Sequence, residues 1–248
     1  MCSGRDGEEC TGAGIRDGLR PIRRAPFNAH YQPIRSADRN EDLYVTEQLR
    51  VKPWALVSAT CAPIILIGGW TYAAMLQPPG FDAARDTISA LAAIGATDRV
   101  VMTGALLLVG ACHIITGNGL PEARIIGRVV LAIGGLATIG VALAPLPASG
   151  GSTLHGLFAF IAFGCLGAWP LVAWHRSRTT SWALRKRRSI TAGVVLILLV
   201  AGFAVSLVSG ELVGATERLA AAAQGIWPAV VVWFAFRAQR RQGAAIRR

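Results

Sequence analysis

Six long apolar runs dominate this sequence of 248 residues and constrain its fold more than any other feature. A helix rises 1.5 Å per residue, so about 20 apolar residues cross the ~30 Å hydrocarbon layer of a membrane. Each run has roughly this length. The sequence therefore predicts an all-α membrane protein whose six transmembrane helices are residues 53–76, 100–118, 125–146, 155–174, 189–209 and 215–236.

The composition of the runs excludes barrel strands and the helices of a soluble protein. Lipid cannot satisfy an exposed backbone N–H or C=O group, and these segments are too long and too evenly apolar for barrel strands. A helix on the surface of a soluble protein needs a polar face, yet residues 129–143 and 190–206 contain no charged side chain.

The lysine and arginine residues beside the runs predict the orientation of the protein. Three of them, Arg85, Arg99 and Arg218, fall on one side of the predicted membrane, and seventeen fall on the other. The positive-inside rule then places both termini in the cytoplasm of a multi-pass plasma-membrane protein. The net charge of +11 follows from this bias. It indicates the lipid bilayer and its anionic headgroups as partners and requires no nucleic acid.

Three segments follow along the chain. Residues 1–52 mix charged residues and glycine without helical or strand periodicity, so we expect a disordered cytoplasmic tail. Residues 53–236 form the six-span transmembrane domain. Residues 237–248 are read as a basic cytoplasmic tail.

No metal or cofactor is expected from the sequence. Cys61, Cys112 and Cys165 fall inside the runs, where cysteine behaves as a small hydrophobic residue. No pair of cysteines or histidines has the spacing of metal ligands, and no glycine-rich phosphate loop is present. The oligomeric state is left open.

The first outer connection predicts a short amphipathic helix. After Pro78, Pro79 and Gly80 comes the stretch FDAARDTISALAAIG, residues 81–95. Its apolar residues recur at helical spacing, and its charged residues fall on the opposite face. In a purely structural interpretation, Asp82 or Asp86 caps the helix and Arg85 pairs with Asp82.

Three motifs in the chain resemble a known family. They are PGFDAARDTISALAA after the first run, STLHGLFAFIAF at the fourth and GATERLAAAAQGIWP at the sixth. They resemble the bacterial membrane family catalogued as domain of unknown function 998, over about residues 54–236. The resemblance implies six membrane helices and no assigned activity. The polar residues by which the family is recognised correspond in this sequence to Arg85, Asp86, Ser89, His155, Glu217 and Arg218.

Chain direction places these polar residues at one level of the membrane, near the outer surface. Gln224 lies seven residues after Glu217, so the sixth helix carries a polar stripe that should face the bundle. We expect ion pairs of Asp86 with Arg218 or of Glu217 with Arg85. His113, deeper in the second run, is interpreted as a buried structural histidine outside the site.

Three functions remain open for this cluster. Charge pairs could lock the first connection onto a membrane scaffold. Alternatively, an enzyme could act on a lipid headgroup or lipid-linked substrate, with catalytic candidates Asp86, Ser89, His155 and Glu217. In that case Arg85 and Arg218 would bind phosphate. A transporter of a small solute or ion would instead use Glu217, Gln224 and His155 along a polar path.

Overall fold

The structure is a computed structural model that describes residues 50–175 and 181–246. In these residues it contains no strand and six long helices, each apolar enough to cross a membrane, so the prediction of an all-α bundle with six spans is confirmed. The helices are α1 (Pro53–Met75), α2 (Val100–Gly119), α3 (Ile125–Leu143), α4 (Thr153–Ala173), α5 (Lys186–Ser209) and α6 (Val213–Ile246).

Local sequence signals set several helix ends. Pro53 occupies the first helical position of α1, where its missing N–H removes no hydrogen bond. The Ser152 hydroxyl oxygen accepts the N–H of His155 at 3.3 Å and caps the start of α4. Gly210, with a φ of 75°, ends α5 in the left-handed conformation that glycine adopts without strain.

The bundle extends beyond the predicted spans at both chain ends. Residues 1–49 of the predicted N-terminal tail lie outside the described residues, as do residues 247 and 248. Val51 is buried, and its N–H donates to the Gln239 Oε1 atom of α6 at 3.1 Å. Helix α6 itself continues past residue 236 to Ile246.

The six helices form a ring in chain order. Each helix packs against the next, and α6 closes the ring by packing against α1. The α1–α2, α3–α4 and α5–α6 connections share one end, where the Ile94 N–H donates to the Leu146 oxygen at 2.8 Å. We call this the Glu217 end. The other two connections lie at the opposite end, the basic end, where the Arg124 N–H donates to the Ala173 oxygen at 3.1 Å.

The α1–α2 connection contains less helix than its sequence pattern predicts. Within residues 81–95, only Ser89–Ala92 is helical, as a short 3₁₀ helix. Aspartate side chains bind the first backbone N–H groups of the stretch: Asp86 Oδ2 accepts from the N–H of Asp82 at 2.8 Å, and Asp82 Oδ1 accepts from that of Ala84 at 2.9 Å. Leu91 is nevertheless fully buried against the bundle.

Small residues allow the helices to approach closely. A Cβ atom on Gly135 of α3 would lie 2.5 Å from the Gly110 oxygen of α2, and one on Gly110 would lie 2.5 Å from the Gly135 oxygen. Gly127 of α3 meets the backbone of Ala173 in α4 in the same way. Because apolar burial does not drive helix association in lipid, such close contacts supply much of the packing energy.

Polar side chains join neighbouring helices inside the apolar bundle. Hydroxyl groups are the usual donors, and each contact satisfies a group that lipid would leave unpaired. The contacts are Ser58 Oγ with Thr116 Oγ1 at 2.9 Å, Ser206 Oγ with Thr216 Oγ1 at 2.6 Å, and Ser189 Oγ donating to the Pro170 oxygen at 2.6 Å.

Aromatic rings and cationic side chains meet at the basic end. The Arg124 guanidinium and the Lys186 ammonium lie 5.5 and 5.1 Å from the Trp174 ring, within cation–π range. Glu122 accepts the N–H of Ser181 and so ties the α2–α3 connection to the α4–α5 connection. Burial raises the pKa of the Glu122 carboxyl, and this hydrogen bond opposes the shift.

The close contact between α2 and α3 predicts different effects for two glycine substitutions. Gly135→Ala should destabilise the bundle by about 1–3 kcal/mol, because the new methyl group collides with the Gly110 backbone. Gly104→Ala, on the same helix pair, meets no atom within 4 Å and should leave stability unchanged or higher. Thermal unfolding in detergent measures both variants. Equal melting temperatures would contradict the close packing.

Candidate functional site

Glu217, on the first turns of α6, is the most deeply buried acidic side chain among the described residues, at 4% exposure. Its Oε2 atom accepts the backbone N–H of Ile88 at 2.6 Å, and its Oε1 atom lies 3.5 Å from the Ser89 hydroxyl. The carboxylate therefore binds the start of the 3₁₀ helix. This contact holds the α1–α2 connection over the Glu217 end of the bundle.

Arg218, the next residue, binds the same connection from the side. Its Nη1 atom donates to the backbone oxygens of Ala83 and Asp86 at 2.7 Å each, and to that of Gly214 at 3.0 Å. A guanidinium group offers five N–H donors in a planar fork, so one side chain can satisfy several carbonyl groups. Glu217 and Arg218 together dock the first connection onto α6.

The expected ion pairs of Glu217 with Arg85 and of Asp86 with Arg218 are both wrong in detail. Arg218 binds the backbone oxygen of Asp86 rather than its carboxylate, which accepts the Asp82 N–H instead. Arg85 lies 3.7 Å from Asp82, and its side chain is 80% exposed. The sequence correctly predicted that Asp86 and Arg218 lie close together, but the Arg218 guanidinium binds backbone carbonyl oxygens rather than a carboxylate.

His155 belongs to a different part of the structure from Ser89. Its Nδ1–H donates to the Ala144 oxygen at 2.8 Å, so the ring ties the first turn of α4 to the end of α3. The ring is buried at 6% exposure and does not line the cavity described below. The enzyme interpretation combines Ser89 or Asp86 with His155, and no hydrogen bond among the described residues joins His155 to either of them.

A cavity of about 60 Å³ lies inside the ring of helices. Side chains from α1, α2, α3, α4 and α6 line it, together with Ile88 and Ser89 of the connection. A water molecule needs at least ~10–15 Å³ of such space, so the cavity has room for about four waters or a solute of similar size. Its polar lining consists of Ser89, His113, Thr138, Glu217 and Gln224.

The cavity extends from the Glu217 end to the middle of the bundle. Gln224 lies seven residues beyond Glu217 on α6, which places it about 10 Å deeper. It is 1% exposed, and its Nε2 atom donates to the Phe163 oxygen of α4 at 2.8 Å. This confirms a polar stripe on α6 that faces the bundle rather than lipid.

His113 joins the site although its sequence context suggested a structural role. It is 1% exposed and lines the cavity from α2. Its Nδ1 atom has no hydrogen-bond partner among the described residues. Thr138 of α3 is a second lining residue that the sequence did not indicate. Both are polar residues within apolar runs, and this contrast is the sequence signal that could have identified them. Periodicity alone does not show which helix faces meet at a cavity.

The arrangement offers hydrogen bonding and one carboxylate rather than a metal centre. In the part of the chain that the structure describes, no three His, Cys, Asp or Glu side chains come close enough to hold a metal ion. Of the candidate residues, Ser89, Glu217 and Gln224 meet at the cavity. Asp86 of the docked connection and Arg218 of α6 bind each other outside its lining, Arg85 is exposed, and His155 binds the end of α3.

Comparison with protein families gives one match. The model for "Protein of unknown function (DUF998)" matches residues 60–234, which covers nearly the whole bundle from α1 to α6. The resemblance seen in the sequence motifs is confirmed. Comparisons with curated proteins and with solved structures give no match.

The docking of the first connection predicts unequal roles for its two arginines. Arg218→Leu should destabilise the protein by about 1.5–3 kcal/mol, because backbone carbonyls of Ala83 and Asp86 lose a charged donor. Arg85→Leu removes only an exposed pair and should cost less than about 1 kcal/mol. Thermal unfolding, with limited proteolysis of the connection, measures both effects. A larger loss for Arg85→Leu would contradict the docking role.

Proposed function

We propose a solute-binding and transport function for this chain, which belongs to the DUF998 family, a family described as a protein of unknown function. The cavity is the observation that supports it. Three polar residues from two helices, Glu217 and Gln224 of α6 and His113 of α2, line one space inside a membrane bundle. A continuous polar space that reaches the bilayer centre is what a solute path requires.

Energetics support a ligand in this space. A charged side chain at the centre of a transmembrane helix costs about 2.5–3.5 kcal/mol, and less near the ends, so such residues normally have partners or line a functional cavity. Glu217 has partners in Ile88 and Ser89. His113 is as deeply buried as Gln224, yet its Nδ1 atom has no partner among the described residues. A water or solute in the cavity would satisfy it.

One specific observation supports the structural alternative, in which the protein is a membrane scaffold. Glu217 and Arg218 both bind backbone groups of the α1–α2 connection, and a scaffold would need no more than this. Docking and binding are compatible, because the docked connection contributes Ile88 and Ser89 to the lining of the cavity. The enzyme alternative lacks an equivalent observation, since Ser89 and His155 bind different parts of the bundle.

Orientation completes the proposal. We place the basic end in the cytoplasm of a plasma-membrane protein, with the Glu217 end facing outward. The arginines and lysines of the basic end support this orientation, because cytoplasmic connections carry the excess of positive charge. Arg124 and Lys186, at the same end, would then lie beside the anionic headgroups of the inner leaflet.

Cysteine labelling tests the orientation. In a variant without native cysteines, a cysteine at exposed Ser149 in the α3–α4 connection should react with an impermeant thiol reagent added outside intact cells. A cysteine at exposed Arg187, at the basic end, should react only after permeabilisation. The reverse pattern would overturn the orientation.

The same method tests access to the cavity. Ala221→Cys places a thiol in the cavity lining of α6, and Leu219→Cys places one on the same helix at a position 58% exposed outside the bundle. Thiolates form in water rather than in lipid, so a thiol reagent small enough to enter a cavity of about 60 Å³, such as the silver ion, should label Ala221→Cys and spare Leu219→Cys. If Ala221→Cys stays unlabelled in folded protein, solute does not reach the cavity and the scaffold function is the better account.

A further inference from the structure

We infer that the solute taken by this cavity is a small organic cation, an ammonium ion with a short apolar group. The inference rests on the proposed solute-binding function and names the ligand class. It depends on three features of the lining: its charge, its apolar side chains and its size.

The charge of the lining selects against anions. Among the described residues that line the cavity, Glu217 is the one carboxyl group, and no lysine or arginine is present. Arg218, the nearest cation in sequence, directs its Nη1 atom to carbonyl oxygens of the connection. Its Nη2 atom is buried without a hydrogen-bond partner among the described residues, but the side chain does not line the cavity. An anion in the cavity would therefore meet a carboxylate and no cation in the lining, which is unfavourable in a low-dielectric space.

Glu217 retains capacity to accept hydrogen bonds from a ligand. A carboxylate has about four lone-pair positions, and the backbone N–H groups of Ile88, at 2.6 Å, and of Ser89 occupy part of them. The contact with the Ser89 hydroxyl is long at 3.5 Å. An ammonium group donates three hydrogen bonds and accepts none, so it matches a carboxylate and a hydroxyl oxygen, which Glu217 and Ser89 supply together at the Glu217 end of the cavity.

The rest of the lining suits the apolar part of such an ion. Leu106, Val109 and Val141 supply aliphatic contacts, and Phe163 supplies an aromatic ring that can also attract a cation. The volume of about 60 Å³ limits the ligand to a few non-hydrogen atoms. A bare metal ion fits poorly, because no cluster of ligating side chains occurs among the described residues.

Three probes of nearly equal size separate the possibilities: propylammonium, 1-propanol and propionate. Propylammonium and 1-propanol carry a propyl chain with a positive and a neutral head, and propionate carries an ethyl chain with a negative head. With purified full-length protein, propylammonium at saturation should raise the melting temperature by about 2–4 °C, whereas the other two should not. Propylammonium should also slow labelling of Ala221→Cys severalfold, which tests binding without altering Glu217.

A matched pair of variants assigns the binding to Glu217. Glu217→Gln removes the charge and should abolish the shift caused by propylammonium. Glu211→Gln removes an exposed carboxylate from the neighbouring α5–α6 connection and should retain it. If Glu217→Gln does not fold, the protection of Ala221→Cys from labelling decides the result instead.

Other outcomes overturn the inference and distinguish it from the proposed function. Equal protection by 1-propanol, or preferred protection by propionate, would disprove cation selectivity and leave solute binding intact. A propylammonium shift that Glu211→Gln also loses would reflect surface charge and overturn the assignment. If no probe protects while Ala221→Cys still reacts from outside, the cation inference fails and the solute path stands. If the cysteine does not react at all, both fail.

Discussion

The need to satisfy backbone hydrogen bonds without water governs this structure. In lipid every N–H and C=O group must find a protein partner, so the six apolar runs become helices, and breaks between them gather at the two ends. The α1–α2 connection is the longest such break at the Glu217 end. Its backbone groups are satisfied by Glu217 and Arg218, adjacent residues of α6 that bind an N–H and two carbonyl oxygens.

This use of charged residues explains why Glu217 and Arg218 bind the backbone of the connection rather than the side chains of Arg85 and Asp86. A carboxylate accepts hydrogen bonds from unpaired backbone N–H groups, and a guanidinium donates hydrogen bonds to unpaired backbone carbonyl oxygens. Binding backbone groups also fixes the position of the connection, which a pair between two long side chains would not. The docked 3₁₀ helix then carries Ser89 to the cavity, so the same two residues that stabilise the connection help to shape the site.

Close helix contacts and the cavity are two consequences of one ring. Gly110 and Gly135 bring α2 and α3 together until backbone atoms touch, and α6 closes the ring against α1. The cavity lies between α1, α2, α3, α4 and α6, and Gln224 of α6 contacts Phe163 of α4 beside it. Polar residues that would be costly toward lipid, such as His113 and Gln224, face that space.

The sequence by itself determined the class of fold, the six spans, the shared end of the bundle at which the polar motif residues lie and the inward stripe of Glu217 and Gln224. Helix length, apolar composition and 3.6-residue periodicity are local properties, so one chain reveals them. Tertiary structure decided which residues meet: it separated His155 from Ser89, brought His113 into the cavity and gave Arg218 to backbone oxygens. Those outcomes depend on how each helix is rotated toward its neighbours, which nearly uniform apolar surfaces do not encode locally.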